Sequence, residues 1–325
     1  MKIGIIGAAG FLGTSLMKEL QRKGIKYQGF DINVSQESIQ HLDVEKCSEN
    51  TDLKDCTTII NLAAVHRDDI KPVSRYDDVN IEGAKNICKA ASGNNINRII
   101  FTSSVAIYGF APPGTDESGK VNYFNDYGRT KNEAEKIYIN WQKEDPNARS
   151  LIIIRPTVIF GPGNRGNVYN LLKQINSKRF AMFGNGQNIK SMAYVENVSS
   201  FIRHALSFEI NKGIKLYNYI DKPDLSMNEL VTISRSTLFQ RNNVGLRLPK
   251  FLGIAIGLIF DVVASITRKK LPISRIRVKK FMATTEFNTS LNETGFVPPF
   301  TLKEGLEKTL HYEFLEDNSD KPTFE

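Results

Sequence analysis

The sequence has little cysteine and no long uninterrupted apolar run, and both absences restrict what the protein can be. Cys47, Cys56 and Cys88 are the only cysteines among 325 residues, and they form no CxxC pair. This spacing argues against a disulfide framework and against a zinc site, so we expect a reducing compartment and no bound metal. The opening residues MKIGIIGAAG meet glycines too early for a secretory signal, and they predict a buried first strand instead.

Excess charge is also absent from most of the chain, although the net charge is +8. Between Arg247 and Lys280 the sequence has nine basic residues and one acid, Asp261, so this stretch carries the whole excess. A neutral body with one basic, apolar segment does not favour nucleic acid as a partner.

The apolar part of that segment, residues 251–266, is sixteen residues long and is interrupted by Asp261. As a helix it would span about 24 Å, which is short of a hydrocarbon core of about 30 Å. Two interpretations stay open. It is a buried helix of a substrate lobe, or it lies in the membrane plane with Lys269, Lys270 and the cluster at 275–280 against anionic headgroups.

Short apolar runs alternate with longer amphipathic stretches in the first two-thirds of the chain, which is typical of a parallel sheet with crossover helices. The predicted strands are 2–6, 27–30, 58–62, 98–103 and 151–155, and the predicted helices are 11–23, 76–92 and 127–143. The fold class is therefore α/β, a Rossmann-type doubly wound parallel sheet with a smaller C-terminal substrate lobe. The predicted division gives 1–160 and 188–208 to the Rossmann domain, and 161–187 and 209–325 to the lobe, with 247–280 as its basic, membrane-facing segment. We expect the polar tail at 316–325 to be frayed.

A glycine-rich turn follows the first predicted strand and opens a helix. Gly7 allows a tight turn, Gly10 lets the backbone approach a pyrophosphate, and Gly13 allows close packing of the helix. Asp31 ends the second strand 18 residues after Gly13. A carboxylate there accepts hydrogen bonds from ribose hydroxyls and repels a 2′-phosphate, so the pattern predicts NAD as the cofactor rather than NADP.

Tyr127 and Lys131 form a second pattern, because a spacing of four residues places them one above the other on a helix. An isolated tyrosine has a pKa of about 10, and a nearby ammonium lowers that pKa by favouring the phenolate. Ser104 ends a predicted strand upstream, where its hydroxyl can hold the substrate oxygen that Tyr127 deprotonates. We therefore predict Ser104, Tyr127 and Lys131 as the catalytic residues.

These motifs, together with NLAA at 61–64, VNIEG at 79–83 and RPTVIFGPG at 155–163, occur in an order that resembles the extended short-chain dehydrogenase/reductases. The resemblance covers essentially the whole chain and is strongest to the nucleotide-sugar 4-epimerases. It implies a homodimer through the helices at 76–92 and 127–143, an adenine contact for Asp43 and a ribose contact for Lys131. The residues that it places at the cofactor are Gly7, Ala9, Gly10, Phe11, Leu12, Gly13, Asp31, Ile32, Asp43, Val44, Leu62, Ala63, Ala64, Asn80, Ser103, Tyr127, Lys131, Pro156, Thr157 and Val158.

The two residues after Ser104 help to choose the reaction. Sugar dehydratases that resemble this family carry an Asp-Glu pair there, whereas this chain has Val105 and Ala106, which cannot move a proton. Dehydration is therefore disfavoured, and reversible oxidation at a sugar C4 through a 4-keto intermediate is favoured. A nucleotide-sugar reductase stays open, because the same three catalytic residues serve both reactions.

Further segments bear on the sugar carrier: LAAVHRDD at 62–69, KSMAYV at 190–195 and RVKKFMATTEF at 277–287 resemble epimerases of polyprenyl-diphosphate-linked sugars. This resemblance implies interconversion of N-acetylglucosamine and N-acetylgalactosamine on diphospho-undecaprenol. It also implies a peripheral protein at the inner leaflet, on the cytoplasmic face of the bacterial inner membrane. A soluble UDP-glucose or UDP-N-acetylglucosamine 4-epimerase and a non-catalytic NAD-binding protein remain alternatives. The predicted substrate residues are His66, Arg67 and Ser104 at the sugar, and Arg165, Asn167, Lys190 and Arg277 at the diphosphate.

Overall fold

A parallel sheet of seven strands forms the centre of the molecule. The computed structural model describes residues 2–34, 37–48, 51, 53, 55–67, 70–208, 213–255, 258 and 282–324. The strands of the sheet are β1 (Lys2–Ile6), β2 (Tyr27–Asp31), β3 (Ile39–His41), β4 (Cys56–Asn61), β5 (Arg98–Thr102), β6 (Ser150–Pro156) and β11 (Gly213–Tyr219). Their order is β3-β2-β1-β4-β5-β6-β11. The first six follow the Rossmann order, which confirms the predicted fold class.

Helices cover both faces of this sheet. The helices of the described ranges include α1 (Phe11–Arg22), α2 (Ser74–Tyr76), α3 (Gly83–Gly93), α4 (Asp126–Glu144), α5 (Asn167–Asn176), α6 (Val195–Leu206), α7 (Met227–Phe239) and α8 (Leu302–Phe314), some of which pack beyond the sheet. A π-helical segment, Asp77–Glu82, joins α2 to α3, and 3-10 turns occupy Val105–Tyr108 and Leu291–Thr294. One hydrophobic cluster joins α1 and α6 to one face of the sheet, and another joins α3 and α4 to the opposite face. Two buried faces explain why the central strands are nearly continuous runs of isoleucine and phenylalanine.

In the ranges that the structure describes, three small two-stranded sheets lie outside the central sheet. Their strands are β7 (Val158–Phe160) with β10 (Met192–Tyr194), β9 (Ile189–Lys190) with β12 (Leu225–Ser226), and β8 (Met182–Phe183) with β13 (Arg247–Leu248). They follow the carboxyl end of β6, where ligands of doubly wound sheets bind.

The five predicted strands and the helices predicted at 11–23 and 127–143 are confirmed to within two residues at each end, whereas the single helix predicted at 76–92 consists of α2, the π-helical segment and α3. Strands β3 and β11 were not predicted, since β3 buries only Ile39 and β11 mixes polar with apolar residues at the sheet edge. The predicted division gave 213–219 to the substrate lobe, but β11 pairs with β6 from Gly213–Ser150 to Tyr219–Pro156. This part of the division is corrected, and the rest of it stays a prediction.

The expectation of a frayed tail is also wrong for the described part of it. The backbone N–H of Phe324 donates to the carbonyl of Gly163 at 2.9 Å, and its ring packs against Phe11. Within the described ranges no helix is both long enough and apolar enough to span a bilayer. Most of the basic segment 247–280 lies outside the described residues, as does Arg277.

A buried ion pair links α4 to β6 behind the carboxyl edge of the sheet. Arg155 donates from Nε and Nη2 to the two carboxylate oxygens of Glu135, at 2.8 and 2.6 Å. The side chains are only 8% and 4% exposed. Arg155 also donates to the hydroxyl of Tyr108 at 2.6 Å, and that hydroxyl donates to Asn218 on β11 at 2.9 Å. The network therefore ties four elements of the fold together, namely α4, β6, the 3-10 turn that ends at Tyr108, and β11.

We predict that Arg155→Met lowers the free energy of unfolding by about 3–5 kcal/mol, because it leaves the Glu135 carboxylate buried without its partner. Urea unfolding followed by circular dichroism measures this loss. Lys85→Met, which removes an exposed ion pair with Glu82, is the control and should cost less than about 1 kcal/mol. Equal losses in the two variants would contradict the assignment.

Candidate active site

The glycine-rich turn has no room for side chains at two of its positions. Gly7 has a φ of +84°, and a Cβ on it would lie 2.7 Å from the backbone nitrogen of Ala63. A Cβ on Gly13 would lie 2.2 Å from the carbonyl oxygen of Gly7. Gly10 is the N-cap of α1 and has no side chain to cap the helix. The N-terminal N–H groups of α1 and the positive end of its dipole thus face a turn that fits a pyrophosphate.

Asp31 supports this turn from the end of β2. Its carboxylate accepts hydrogen bonds from the backbone N–H groups of Ala9 and Asn33, each at 3.0 Å. A carboxylate has further lone pairs, so the same group can accept from ribose hydroxyls, as predicted. Asp43 accepts from the N–H of Glu45 at 3.0 Å and pairs with Lys46 at 3.2 Å.

Asn80 shapes the wall beside the turn. It lies in the π-helical segment and is buried. Its amide oxygen accepts from the N–H of Val65 at 2.8 Å, and its amide nitrogen donates to the carbonyl of Val65 at 3.0 Å and to the hydroxyl of Thr130 at 2.9 Å. The predicted cofactor residue Asn80 therefore joins the loop after β4, which contains Ala63 and Ala64, to helix α4.

The three predicted catalytic residues meet where α4 crosses the end of β5. Asn125 caps α4 by accepting from the N–H of Gly128 at 2.9 Å, so Tyr127 lies in the first turn. Lys131, one turn later, donates from Nζ to the carbonyl of Thr102 at 2.8 Å and lies 4.7 Å from the centre of the Phe101 ring. Ser104 follows β5, and its Oγ accepts from the N–H of Ala106 at 3.1 Å.

Burial controls the protonation of this pair. It raises the pKa of Tyr127 to about 12, while a hydrogen bond with Ser104 acts in the lowering direction. Burial also lowers the pKa of Lys131 to about 7, opposed by the negative charge of Glu135. We expected the Lys131 ammonium to lower the pKa of Tyr127. Instead the ammonium is directed to Thr102, and Ser104 supplies the lowering interaction.

The end of the site beside β5 and β6 fits the nicotinamide half of NAD. The buried hydroxyls of Thr102 and Ser103 have no hydrogen-bond partner within the part of the chain that the structure describes. Thr157 donates to the carbonyl of Tyr219 at 3.3 Å, and Val158 is 39% exposed. Two unused hydroxyls and an exposed aliphatic side chain suit an amide-bearing ring, so the residues present fit the cofactor along its whole length.

Among the predicted substrate residues, His66 and Arg67 lie in the loop after β4, and Lys190 lies on β9. The pKa of His66 is lowered from its ordinary value. The main cause is that surrounding atoms displace water from its ring, and the nearby positive charge of Lys131 acts in the same direction. Its neighbour Arg67 accepts at its carbonyl from the hydroxyl of Tyr76. Lys190 is half-buried, and it donates to the carbonyl of Ala283 at 2.6 Å. Burial lowers the pKa of Lys190 to about 8.

The contacts of Arg165 do not support its predicted role as a diphosphate contact. Its guanidinium pairs with Glu313, whose side chain is 2% exposed, and stacks on the ring of Tyr169 at 4.3 Å. Asn167 begins α5 with an exposed side chain two residues further on. The charge of Arg165 is therefore already used in holding α8 to the loop after β7.

Glu135 and the carbonyl of Thr102 were missed by the sequence analysis. Glu135 is four residues after Lys131, on the buried face of α4, and an acid at that spacing was the available signal. No sequence pattern indicates that a backbone carbonyl accepts from Lys131. In the described ranges no group of three His, Cys, Asp or Glu residues is arranged to hold a metal ion.

Comparison with known proteins agrees with this geometry. A sequence model of the NAD dependent epimerase/dehydratase family matches residues 3–218. The chain is 44% identical to the N-acetyl-alpha-D-glucosaminyl-diphospho-ditrans,octacis-undecaprenol 4-epimerase of Escherichia coli O157:H7, over 98% of this chain and 97% of that protein. It is 27% identical to the UDP-glucose 4-epimerase of Vibrio cholerae, over 97% and 96% of the two chains.

Among solved structures, the UDP-glucuronic acid 4-epimerase of Bacillus cereus in complex with UDP-glucuronic acid and NAD has the same fold. Its TM-score is 0.73 at 19% identity, with 96% of this chain and 98% of that chain covered. The family resemblance carried by the glycine-rich turn and by the Tyr127–Lys131 pair is thus confirmed. The chain belongs to the NAD-dependent epimerase/dehydratase family, within the extended short-chain dehydrogenase/reductases.

Proposed function

We propose that the protein is an NAD-dependent 4-epimerase that interconverts N-acetylglucosamine and N-acetylgalactosamine on diphospho-undecaprenol. The observation that carries this proposal is the meeting of Ser104, Tyr127 and Lys131 at the end of β5, with Val105 and Ala106 beside them. The 44% identity to an undecaprenol-linked epimerase over nearly the whole chain supports the choice of sugar and carrier.

The residues of the site divide the chemistry at C4 between them. The raised pKa of Tyr127 keeps the proton on its hydroxyl in the resting site, so Tyr127 can return a proton to O4 when a 4-keto sugar is reduced. With oxidised NAD bound, the positive nicotinamide would favour the phenolate and the hydroxyl proton would pass to solvent, so that Tyr127 can accept the O4 proton in the first half-reaction and return it in the second. Ser104 holds the same oxygen. Bound NAD supplies the hydride acceptor and donor at C4.

Exposed apolar side chains near β13 support a carrier that resides in a membrane. Leu246, Phe251 and Leu252 are 62%, 67% and 38% exposed. Arg247 and Lys250 alternate with them at exposed positions. Apolar side chains interleaved with basic ones suit the interface of an anionic bilayer. We therefore propose peripheral contact with the cytoplasmic leaflet. The homodimer through the helices predicted at 76–92 and 127–143 stays a prediction.

The substrate itself gives the direct test. We expect purified protein to convert N-acetylglucosamine on diphospho-undecaprenol in detergent micelles, and to convert UDP-N-acetylglucosamine at least about 100-fold more slowly, as judged by kcat/KM. Product sugars are released by mild acid and separated by chromatography. Turnover of the UDP-sugar alone would overturn the lipid carrier but leave 4-epimerisation standing, whereas no turnover of either would remove the proposed reaction.

Replacement of Tyr127 by phenylalanine removes the proton donor and keeps the ring. We expect a loss of turnover of at least about 100-fold, which is the scale of general acid–base catalysis. The amount of NAD that co-purifies should stay unchanged. Tyr123→Phe is the matched control, because Tyr123 is an exposed tyrosine just before α4. Near wild-type turnover by Tyr127→Phe would exclude this residue from the reaction.

Lys190 predicts a pH dependence of substrate binding. Its pKa of about 8 means that it is charged below that pH and neutral above it, so its attraction for a diphosphate is lost as the pH rises through about 8. We expect kcat/KM for the lipid-linked sugar to fall over that range, and Lys190→Gln to remove this fall and lower the value at pH 7. Lys303→Gln on α8 serves as the control, with an unchanged profile. If kcat/KM of Lys190→Gln falls by the same factor over this pH range, the titrating group is a different one.

A further inference from the structure

The C-terminal tail, residues 316–324, returns to the loop that follows β7. Phe324 joins this loop by two backbone hydrogen bonds, from its N–H to the carbonyl of Gly163 at 2.9 Å and from the N–H of Arg165 to its carbonyl at 2.7 Å. A turn in which the N–H of Lys321 donates to the carbonyl of Asn318 at 3.1 Å precedes it. The tail thus adds a short parallel bridge at Asn164.

The end of α8 fixes the same loop from a second direction. Glu313 accepts from the N–H of Gly163 at 2.7 Å and pairs with the guanidinium of Arg165. Its side chain is 2% exposed, and a charge-assisted pair at such a position is held firmly. Loop, helix end and tail therefore form one connected unit.

This unit reaches the cofactor turn through Phe324. The half-buried ring of Phe324 packs against the ring of Phe11 with 5.7 Å between their centres. Phe11 is the first residue of α1, directly after Gly10, and so belongs to the turn that fits the pyrophosphate. On another side Phe11 meets Gly161, where a Cβ would lie 3.3 Å from Phe11 Cζ. The Phe11 ring therefore contacts both the tail and the loop after β7.

We infer that Phe324 is a positioning residue for the cofactor, and that the tail slows the dissociation of NAD(H) by holding Phe11 and the start of α1 in place. The inference rests on the proposed 4-epimerase function. In that reaction a hydride leaves C4 for NAD⁺ and returns from the same NADH, so that no net redox change occurs. Loss of NADH between the two steps would leave a free 4-keto sugar and an enzyme without cofactor. The reaction therefore requires that NADH is released slowly.

The rate of cofactor release tests this directly on the full-length protein. Enzyme loaded with NADH is mixed with excess NAD⁺, and the decay of bound-NADH fluorescence gives the dissociation rate without any sugar present. We expect Phe324→Ala to release NADH roughly three- to tenfold faster, the scale of one lost aromatic pair. Phe324→Tyr, which keeps the ring, should restore slow release.

Lys321→Ala is the matched control, because Lys321 lies in the same tail with an exposed side chain that pairs only loosely with Asp320, at 3.9 Å. It should release NADH at the wild-type rate. If Phe324→Ala alters the circular dichroism spectrum, Phe324→Leu provides the same comparison with more of the apolar contact kept. Wild-type release rates in both the alanine and leucine variants would overturn the inference.

A second measurement separates this inference from the proposed function. During turnover of the lipid-linked sugar, Phe324→Ala should release more NADH and more 4-keto sugar per epimerised product than the wild type. If Phe324→Ala releases NADH faster without sugar but the wild type does not epimerise the lipid-linked sugar, the role of Phe324 stands and the proposed epimerase function is refuted. If the wild type epimerises the sugar but Phe324→Ala releases NADH at the wild-type rate, the epimerase function stands and the role of Phe324 is refuted.

Discussion

The hydrogen bond from Lys131 Nζ to the carbonyl of Thr102 is the contact on which the geometry of the site depends. It fixes the first turns of α4, which contain Tyr127, against the end of β5, and Ser104 follows that end by two residues. Few alternatives exist for an ammonium that is 3% exposed, because an uncompensated buried charge is costly. Behind it, the Glu135–Arg155 pair holds the next turn of α4 to β6. Helix α4, held by these two contacts, therefore sets the positions of Tyr127 and Lys131 and the charges around them.

Those attachments also bury both side chains, and burial limits the charge of the resting site. It raises the pKa of Tyr127 to about 12, so that the hydroxyl is protonated at pH 7, and lowers the pKa of Lys131 to about 7, so that its amine is about half protonated there. A shielded pocket of low charge strengthens the effect of any charge that enters it. The positive ring of an oxidised nicotinamide would therefore act on Tyr127 with little screening. In the proposed mechanism, the ligands of the site set the protonation state of Tyr127, and a fixed ion pair with Lys131 does not.

The sequence was sufficient for the features that depend on local pattern. Isoleucine-rich runs located the buried strands, and glycine spacing followed by Asp31 located the cofactor turn, because both reflect constraints within a few residues. Edge strand β11 and the Phe11–Phe324 contact depend on packing between residues far apart in the chain, which no local pattern encodes. Arg165 shows the same limit, since its basic character suggested a phosphate while a distant acid, Glu313, already takes its charge.

The geometry of the π-helical segment at Asp77–Glu82 depends on the number of residues that it contains. A π-turn contains one residue more than the α-helical turn it replaces, and such insertions are frequent at functional sites. Removal of any one residue there would restore an ordinary helix but rotate α2 by about 100° relative to α3. Asn80 would then face away from Val65 and Thr130. This stretch should therefore tolerate a substitution at an exposed position more readily than the loss of a single residue.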